Sequence, residues 1–195
     1  RGEYISFANC GLPYYIGETI KEREALLVQT PEAMKARFNI DVRVNSDVAG
    51  IDVNSKKVTV NSSDRGTYEV SYDYIILSPG AKPIAPPIKG IDSSRIYKLR
   101  NVPETDKIKA VVDSKKITSA VVIGGGFIGI ETAENLKERG IKVTLVEAAP
   151  HILAPVDTEM AVIAAIELND RGVSVILGFG VKGLEGTEYN ISVEL

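Results

Sequence analysis

Tryptophan is absent from this 195-residue chain, methionine occurs twice, and cysteine and histidine occur once each. The lone cysteine, Cys10, excludes an internal disulfide framework and any cysteine-rich zinc site. It also points to a reducing compartment, most simply the cytoplasm. The lone histidine, His151, leaves little scope for imidazole-based metal or triad chemistry, and no metal site is expected. No apolar run approaches the roughly 18 residues that cross a bilayer, so no membrane partner is expected. Charge of one sign is also lacking. The 23 basic and 26 acidic residues are interleaved, for a net charge of −3, with no basic stripe for nucleic acid or anionic lipid. What is there is an ordinary globular mix, 44% hydrophobic and 25% charged, of a length that suits one domain or two small ones. The chain opens at Arg1 without a methionine or a leader-like segment and stops inside the strand-like YNISVEL. A piece of a longer protein is therefore expected.

The cysteine lies in SFANCGLPYYIG, residues 6–17, between a short extended run, EYISF, and a turn rich in Gly, Pro and Tyr. Asn9 is placed to cap a short helix, in whose first turn Pro13 is tolerated. Cys10 would then stand at the positive helix end, which favours the thiolate. By position alone it reads as a small buried hydrophobe, as most free cysteines are. A second helix is predicted in TPEAMKARF, with Thr30 as cap, Pro31 at the first helical position and Glu32 suited to the dipole. From Ile40 to Leu77 the pattern switches to period two: DVRV, VAGIDV, KKVTV and TYEVSY, separated by polar turns. YIIL is apolar throughout and runs into SPG, as expected of a buried strand entering a backbone turn. The proline-rich SPGAKPIAPPIKG reads as a linker and divides the chain into residues 1–82 and 83–195.

The second part alternates in another way. A helix with Pro103 near its start is followed by SAVVIGGGFIGIETAENLKERGIKVTLVE, which reads strand, glycine turn, helix, Gly140, strand. A helix capped by Asp157 or Thr158 and ended by Gly172 comes next, and then the strand VSVIL. Strands alternating with helices predict a parallel sheet with crossover helices. Gly124, Gly126 and Gly129 follow an apolar strand and open an amphipathic helix. Their spacing assigns Gly124 to the tight turn, Gly126 to close approach of a pyrophosphate, and Gly129 to close helix–strand packing. The phosphates would meet free N–H groups at the positive helix end. Glu147 ends the next strand about 20 residues on, where an acid accepts hydrogen bonds from ribose hydroxyls. A carboxylate there repels a 2′-phosphate, so NADH is favoured over NADPH. The class expected is α/β: a Rossmann-like, doubly wound NAD(P)-binding domain. The first part, on its own residues, reads only as α+β.

Three stretches together carry a family resemblance: SFANCGLPYYIG, YIILSPGAKP and VVIGGGFIGIETAENL. The chain resembles the middle of a pyridine nucleotide-disulfide oxidoreductase of the single-cysteine subgroup, which holds coenzyme A-disulfide reductases, NADH oxidases and NADH peroxidases. The cysteine run is closest to the coenzyme A-disulfide and persulfide reductases. The resemblance makes residues 1–82 part of an FAD-binding domain with an antiparallel β excursion, and residues 83–195 a truncated NAD(P)H-binding domain. It implies electron flow from NADH through FAD to Cys10 and on to a small-molecule disulfide, with coenzyme A as substrate or mixed disulfide. It implies Ser6, Asn9 and Tyr14 on the substrate side, with Tyr15 beside them. Ser78, Pro79 and Gly80 fall on the flavin side, and Glu131 near the nicotinamide–flavin junction. Arg37 is a candidate for a coenzyme A phosphate or a solvated helix charge, and His151 has no assigned role. A homodimer is implied for the full-length protein, with part of the flavin site supplied outside these residues. Two alternatives stand beside this: an oxidase or peroxidase of the same family, and a nucleotide-binding module in which Cys10 is only packing.

Overall fold

The computed structural model describes residues 2–187 and 190–195. Along the chain run β1 (Ser6–Phe7), α1 (Gly11–Ile16), β2 (Leu27–Gln29), α2 (Pro31–Phe38), β3 (Ser46–Asp52), β4 (Lys57–Ser62) and β5 (Gly66–Ser71). They are followed by α3 (Val102–Asp113), β6 (Ser119–Ile123), α4 (Phe127–Glu138), β7 (Lys142–Glu147), α5 (Thr158–Asp170), β8 (Ser174–Leu177), β9 (Gly183–Gly186) and β10 (Ile191–Glu194). Two compact units result: Arg1–Ala8 with Leu27–Lys82, and Asn9–Leu26 with Pro83–Leu195. Among the described residues no helix is long and apolar enough to cross a membrane.

In the first unit β1 pairs antiparallel with β2. Helix α2 starts where its signals put it: the Thr30 hydroxyl accepts from the Ala33 amide at 3.2 Å, and Asn39, left-handed at φ 55°, ends it. Strands β3, β4 and β5 form an antiparallel meander. Its first turn is closed by Asp52, whose carboxylate accepts from the amides of Asn54 and Ser55 at 2.9 and 3.0 Å. Two expected strands are absent. Residues 41–44, the DVRV run, form no ladder, because Asn45 turns left-handed at φ 48° and pairing begins only at Ser46. YIIL is neither a strand nor buried: Tyr74 is 95% and Ile76 90% exposed. A strand apolar on both faces needs a ladder partner and cover on each side, and no described strand pairs with it.

The second unit contains a parallel sheet of order β6-β7-β8, with α4 and α5 as the crossovers. Sequence order along the sheet is the signature of one wing of a doubly wound fold. The alternation of β6 sends Ala120 and Val122 into the core and leaves Val121 and Ile123 exposed, so helices of this chain cover one face. Val143 and Leu145 of β7, Ala133 and Leu136 of α4, Leu168 of α5 and Val112 of α3 make up that core. Helix α3 is capped by Asn101, whose side chain accepts from the Glu104 amide at 2.9 Å. Asp157 occupies the cap position of α5 without a side-chain cap bond. Of the strand-like terminus, Ile191–Glu194 pairs antiparallel with β9, and Tyr189 lies outside the described residues.

Residues 9–26, grouped with 1–82 on the sequence, take their contacts from the second unit. Helix α1 lies against α3 and α4, with Leu12, Ile16 and Leu26 all buried. Ile16 belongs to the same core cluster as Val112 and Leu136. Burial of three large aliphatic side chains is worth roughly 1.5–3 kcal/mol each, which outweighs chain proximity to the flanking strands.

Candidate functional site

The glycine turn between β6 and α4 divides its work residue by residue. Gly124 has φ 108°, a conformation that L side chains rarely adopt, and its amide donates to the Val146 carbonyl at 2.8 Å. Gly129 packs so closely that a β-carbon there would overlap the Gly124 carbonyl oxygen. Gly126, in the cap position of α4, has extended backbone and nothing within 4 Å of where a side chain would start. That open space fronts a helix N-terminus, as a pyrophosphate needs.

Glu147 closes the other side. One carboxylate oxygen accepts from the Gly125 amide at 2.6 Å and the other from the Ala149 amide at 2.7 Å. The carboxylate is thus fixed at the end of β7, with one backbone donor on each oxygen and lone pairs to spare for a diol. Gly125, which the fingerprint spacing passes over, proves as constrained as its neighbours. A β-carbon there would lie 2.7 Å from the Ile152 side chain and 3.1 Å from the β-carbon of Glu147. Only the run of three glycines hinted at it.

Cys10 is exposed and holds the cap position of α1 with helical dihedrals, φ −69° and ψ −18°. The reading of it as a buried hydrophobe is therefore corrected. So is Asn9 as the cap: the helix begins one residue later than expected, and the Asn9 side chain accepts from the Arg100 guanidinium at 3.2 Å. Tyr14 is on the exposed side of α1, whereas Tyr15 is buried with the Lys109 ammonium 5.2 Å from its ring centre. The Glu131 carbonyl accepts from Asn135 at 2.8 Å. Asn9, Cys10, Tyr14, the three fingerprint glycines, Glu131 and Glu147 all belong to the second unit. Ser6, Ser78, Pro79 and Gly80 belong to the first unit, where Gly80 has φ 73° and open space around it. Arg37 stacks on Phe38, with 5.1 Å from guanidinium to ring centre. Nδ1 of His151 donates to the Ile152 carbonyl at 2.7 Å, which holds the loop after β7.

The polar cluster at the C-terminal end of α1 is not foreshadowed by any motif in the sequence. Arg139 donates to the Ile16 carbonyl at 2.8 Å and to Asp113 at 2.7 Å, and Lys109 bonds Asp113 at 2.9 Å. Burial opposes ionisation of Asp113, but the hydrogen bonds from Lys109 and Arg139 prevail and hold its carboxyl below the ordinary value.

A parallel wing, a glycine turn opening a helix and an acid at the next strand end define a dinucleotide-binding α/β protein, here with a free thiol on the same unit. The chain belongs to the pyridine nucleotide-disulphide oxidoreductase family, whose profile matches residues 1–195. It is 38% identical over 170 residues to the coenzyme A disulfide reductase of Staphylococcus haemolyticus, covering 87% of this chain and 38% of that protein. It is 33% identical over 185 residues to the NADH oxidase of Methanocaldococcus jannaschii, covering 94% of this chain and 41% of that protein. The crystal structure of reduced Bacillus anthracis CoADR-RHD superposes with a TM-score of 0.92 at 49% identity, covering all of this chain and 37% of that one. The chain therefore spans about two-fifths of the length of the curated relatives it matches.

Proposed function

We propose that the protein carrying this chain is an FAD-dependent oxidoreductase that uses NADH to reduce coenzyme A disulfide, or a related persulfide, at Cys10. The observation that carries this reading is the single exposed thiol on the unit that also carries the dinucleotide turn. The Cys10 thiolate attacks one sulfur of the acceptor disulfide, the S–S bond breaks, one thiol leaves, and a mixed disulfide stays on Cys10. When bound, FAD supplies the two-electron relay between NADH and sulfur. In sum one disulfide, one NADH and one proton give two thiols and NAD⁺.

The residues fit the dinucleotide. Gly126 leaves room for the pyrophosphate, and Glu147, pinned by two amides, receives the ribose hydroxyls. Residues 148–157, AAPHILAPVD, contain no lysine or arginine to meet a 2′-phosphate, which supports NADH over NADPH. On the flavin side the exposed turn Ser78–Pro79–Gly80 suits a cofactor lying against backbone. Spanning about two-fifths of its relatives' length, the isolated chain binds FAD weakly. Stoichiometric yellow flavin in the purified 195 residues contradicts that. We place the full-length protein in the cytoplasm as a homodimer, which sedimentation tests.

The decisive experiment uses the full-length protein. Coenzyme A disulfide must drive NADH oxidation, and Cys10→Ser must abolish it. Oxygen consumption without added disulfide favours the oxidase reading instead, to which the similarity to the Methanocaldococcus NADH oxidase lends weight.

A further inference from the structure

A six-residue helix is far too short to hold its own shape in water. Helix α1 has no side-chain cap bond at its start and no acid in its first turn. The direction in which Cys10 presents its sulfur is therefore set by tertiary contacts: the burial of Gly11, Leu12 and Pro13 beside it, and what grips the other end. Three contacts do so, all within the second unit. Arg139, at the end of α4 and only 12% exposed, donates to the Ile16 carbonyl at 2.8 Å and to Asp113, at the end of α3, at 2.7 Å. Lys109, 14% exposed, bonds Asp113 at 2.9 Å, pairs with Glu18 at 3.5 Å, and covers the Tyr15 ring. Gly17 touches the Asn135 side chain so closely that any β-carbon at 17 would overlap it.

We propose that Arg139 is a positioning residue for the Cys10 thiol, clamping the C-terminal end of the cysteine helix onto the ends of α3 and the fingerprint helix. Arg139 reaches the Ile16 carbonyl of α1 from another helix end, 123 residues away in sequence. A guanidinium bridges a carbonyl and a carboxylate with separate N–H groups, and an ammonium on a shorter reach does this less well. The consequence for turnover rests on the function proposed for Cys10; the placement of the thiol does not.

The test takes the full-length protein with Arg139→Met, Arg139→Lys and Cys10→Ser, at a temperature where all remain folded by circular dichroism. In Arg139→Met, amide exchange in the peptide over residues 10–17 accelerates about tenfold or more, while peptides over the first turn of α4 are unchanged. The iodoacetamide rate constant of Cys10, read by mass spectrometry, shifts at least threefold. Turnover with coenzyme A disulfide falls by about tenfold at an unchanged KM for NADH, the loss expected of a misplaced reacting group. Arg139→Lys restores part of each. Unchanged exchange at 10–17, or an unchanged alkylation rate despite faster exchange, overturns the proposal. Should Arg139→Met not fold, the same readouts in Arg139→Lys decide, with wild-type values in all of them overturning it. If Cys10→Ser keeps full turnover while the exchange and alkylation changes appear, the redox role of Cys10 falls and the clamp stands.

Discussion

Gly125 and Gly126 are adjacent, and alanine at the two positions should fail in opposite ways. At 125 the added methyl carbon would sit 2.7 Å from a side-chain carbon of Ile152, which is fully buried, and 3.1 Å from the β-carbon of Glu147. Ordinary carbon–carbon contact is about 3.5–4.0 Å, so something must move by close to an ångström. Overpacking of this kind costs about 1–3 kcal/mol. For a domain of this size each kcal/mol lowers Tm by about 2–4 °C, so a loss of about 2 kcal/mol is a fall of roughly 4–8 °C. At 126 the backbone is extended, and the methyl meets nothing within 4 Å. Alanine there loses about 0.5–1 kcal/mol as a cap and gains about 0.4–1 kcal/mol by restricting the unfolded chain, which leaves Tm within about 2 °C. Its methyl would stand where the pyrophosphate approaches, so NADH affinity should fall at least tenfold, about 1.4 kcal/mol. Differential scanning calorimetry and NADH titration of the full-length variants separate the two signatures. If Gly126→Ala binds NADH like wild type, the open side of the turn is not where the dinucleotide lies. If Gly125→Ala melts like wild type, the packing argument fails.

Three further outcomes are expected. Glu147→Ala should narrow any preference for NADH over NADPH at least tenfold in kcat/KM ratios, because it removes the carboxylate that opposes a 2′-phosphate; an unchanged ratio counts against Glu147 as the discriminator. Asp113 is held below its ordinary value by Lys109 and Arg139 against the effect of burial, so its ionisation adds stability above about pH 4. That contribution disappears as pH falls through the folded value, so Asp113→Asn should have a lower urea midpoint than wild type at neutral pH, with the gap closing in acid. A gap that widens in acid reverses the sign of the argument. Asp106→Ala removes a half-exposed carboxylate that accepts from Arg23 at 2.8 and 3.0 Å and should cost about 1 kcal/mol in chemical denaturation.

The nucleotide half of the fold was legible because its signals are local and redundant. Gly124, Gly126 and Gly129, the apolar strand before them and Glu147 after them all belong to one βαβ unit whose parts pair within some 30 residues of one another. Thr30 and Pro31 likewise announce α2 by contacts three residues apart. YIIL misled for the opposite reason. Its composition describes a strand with neighbours, and the described residues supply none, so 74–77 stay exposed. Asn9 misled by one residue, because cap preference is weak where Arg100, ninety-one positions away, competes for the same side-chain oxygen.

The segment after the cysteine shows how far a local rule bends under a tertiary contact. Helices favour glycine in the left-handed position that follows their end. Here the left-handed residue is Glu18, at φ 66°, and the glycine stands one place earlier in ordinary helical conformation, φ −73°. Swapping them would relieve the backbone at 18 but set a side chain at 17 into Asn135 of the fingerprint helix. A left-handed non-glycine residue costs about 1–2 kcal/mol, and Glu18 recovers part of that through its ion pairs with Lys109 and Arg139. Close approach to α4 therefore outranks turn chemistry at this point of the chain. Glu18→Gly keeps Gly17 in place and removes the strain, so it should leave the fold intact while loosening the grip of Lys109 and Arg139. Gly17→Ala should push α1 away from α4. If hydrogen exchange over residues 10–17 is accelerated more by Glu18→Gly than by Gly17→Ala, that ordering is wrong.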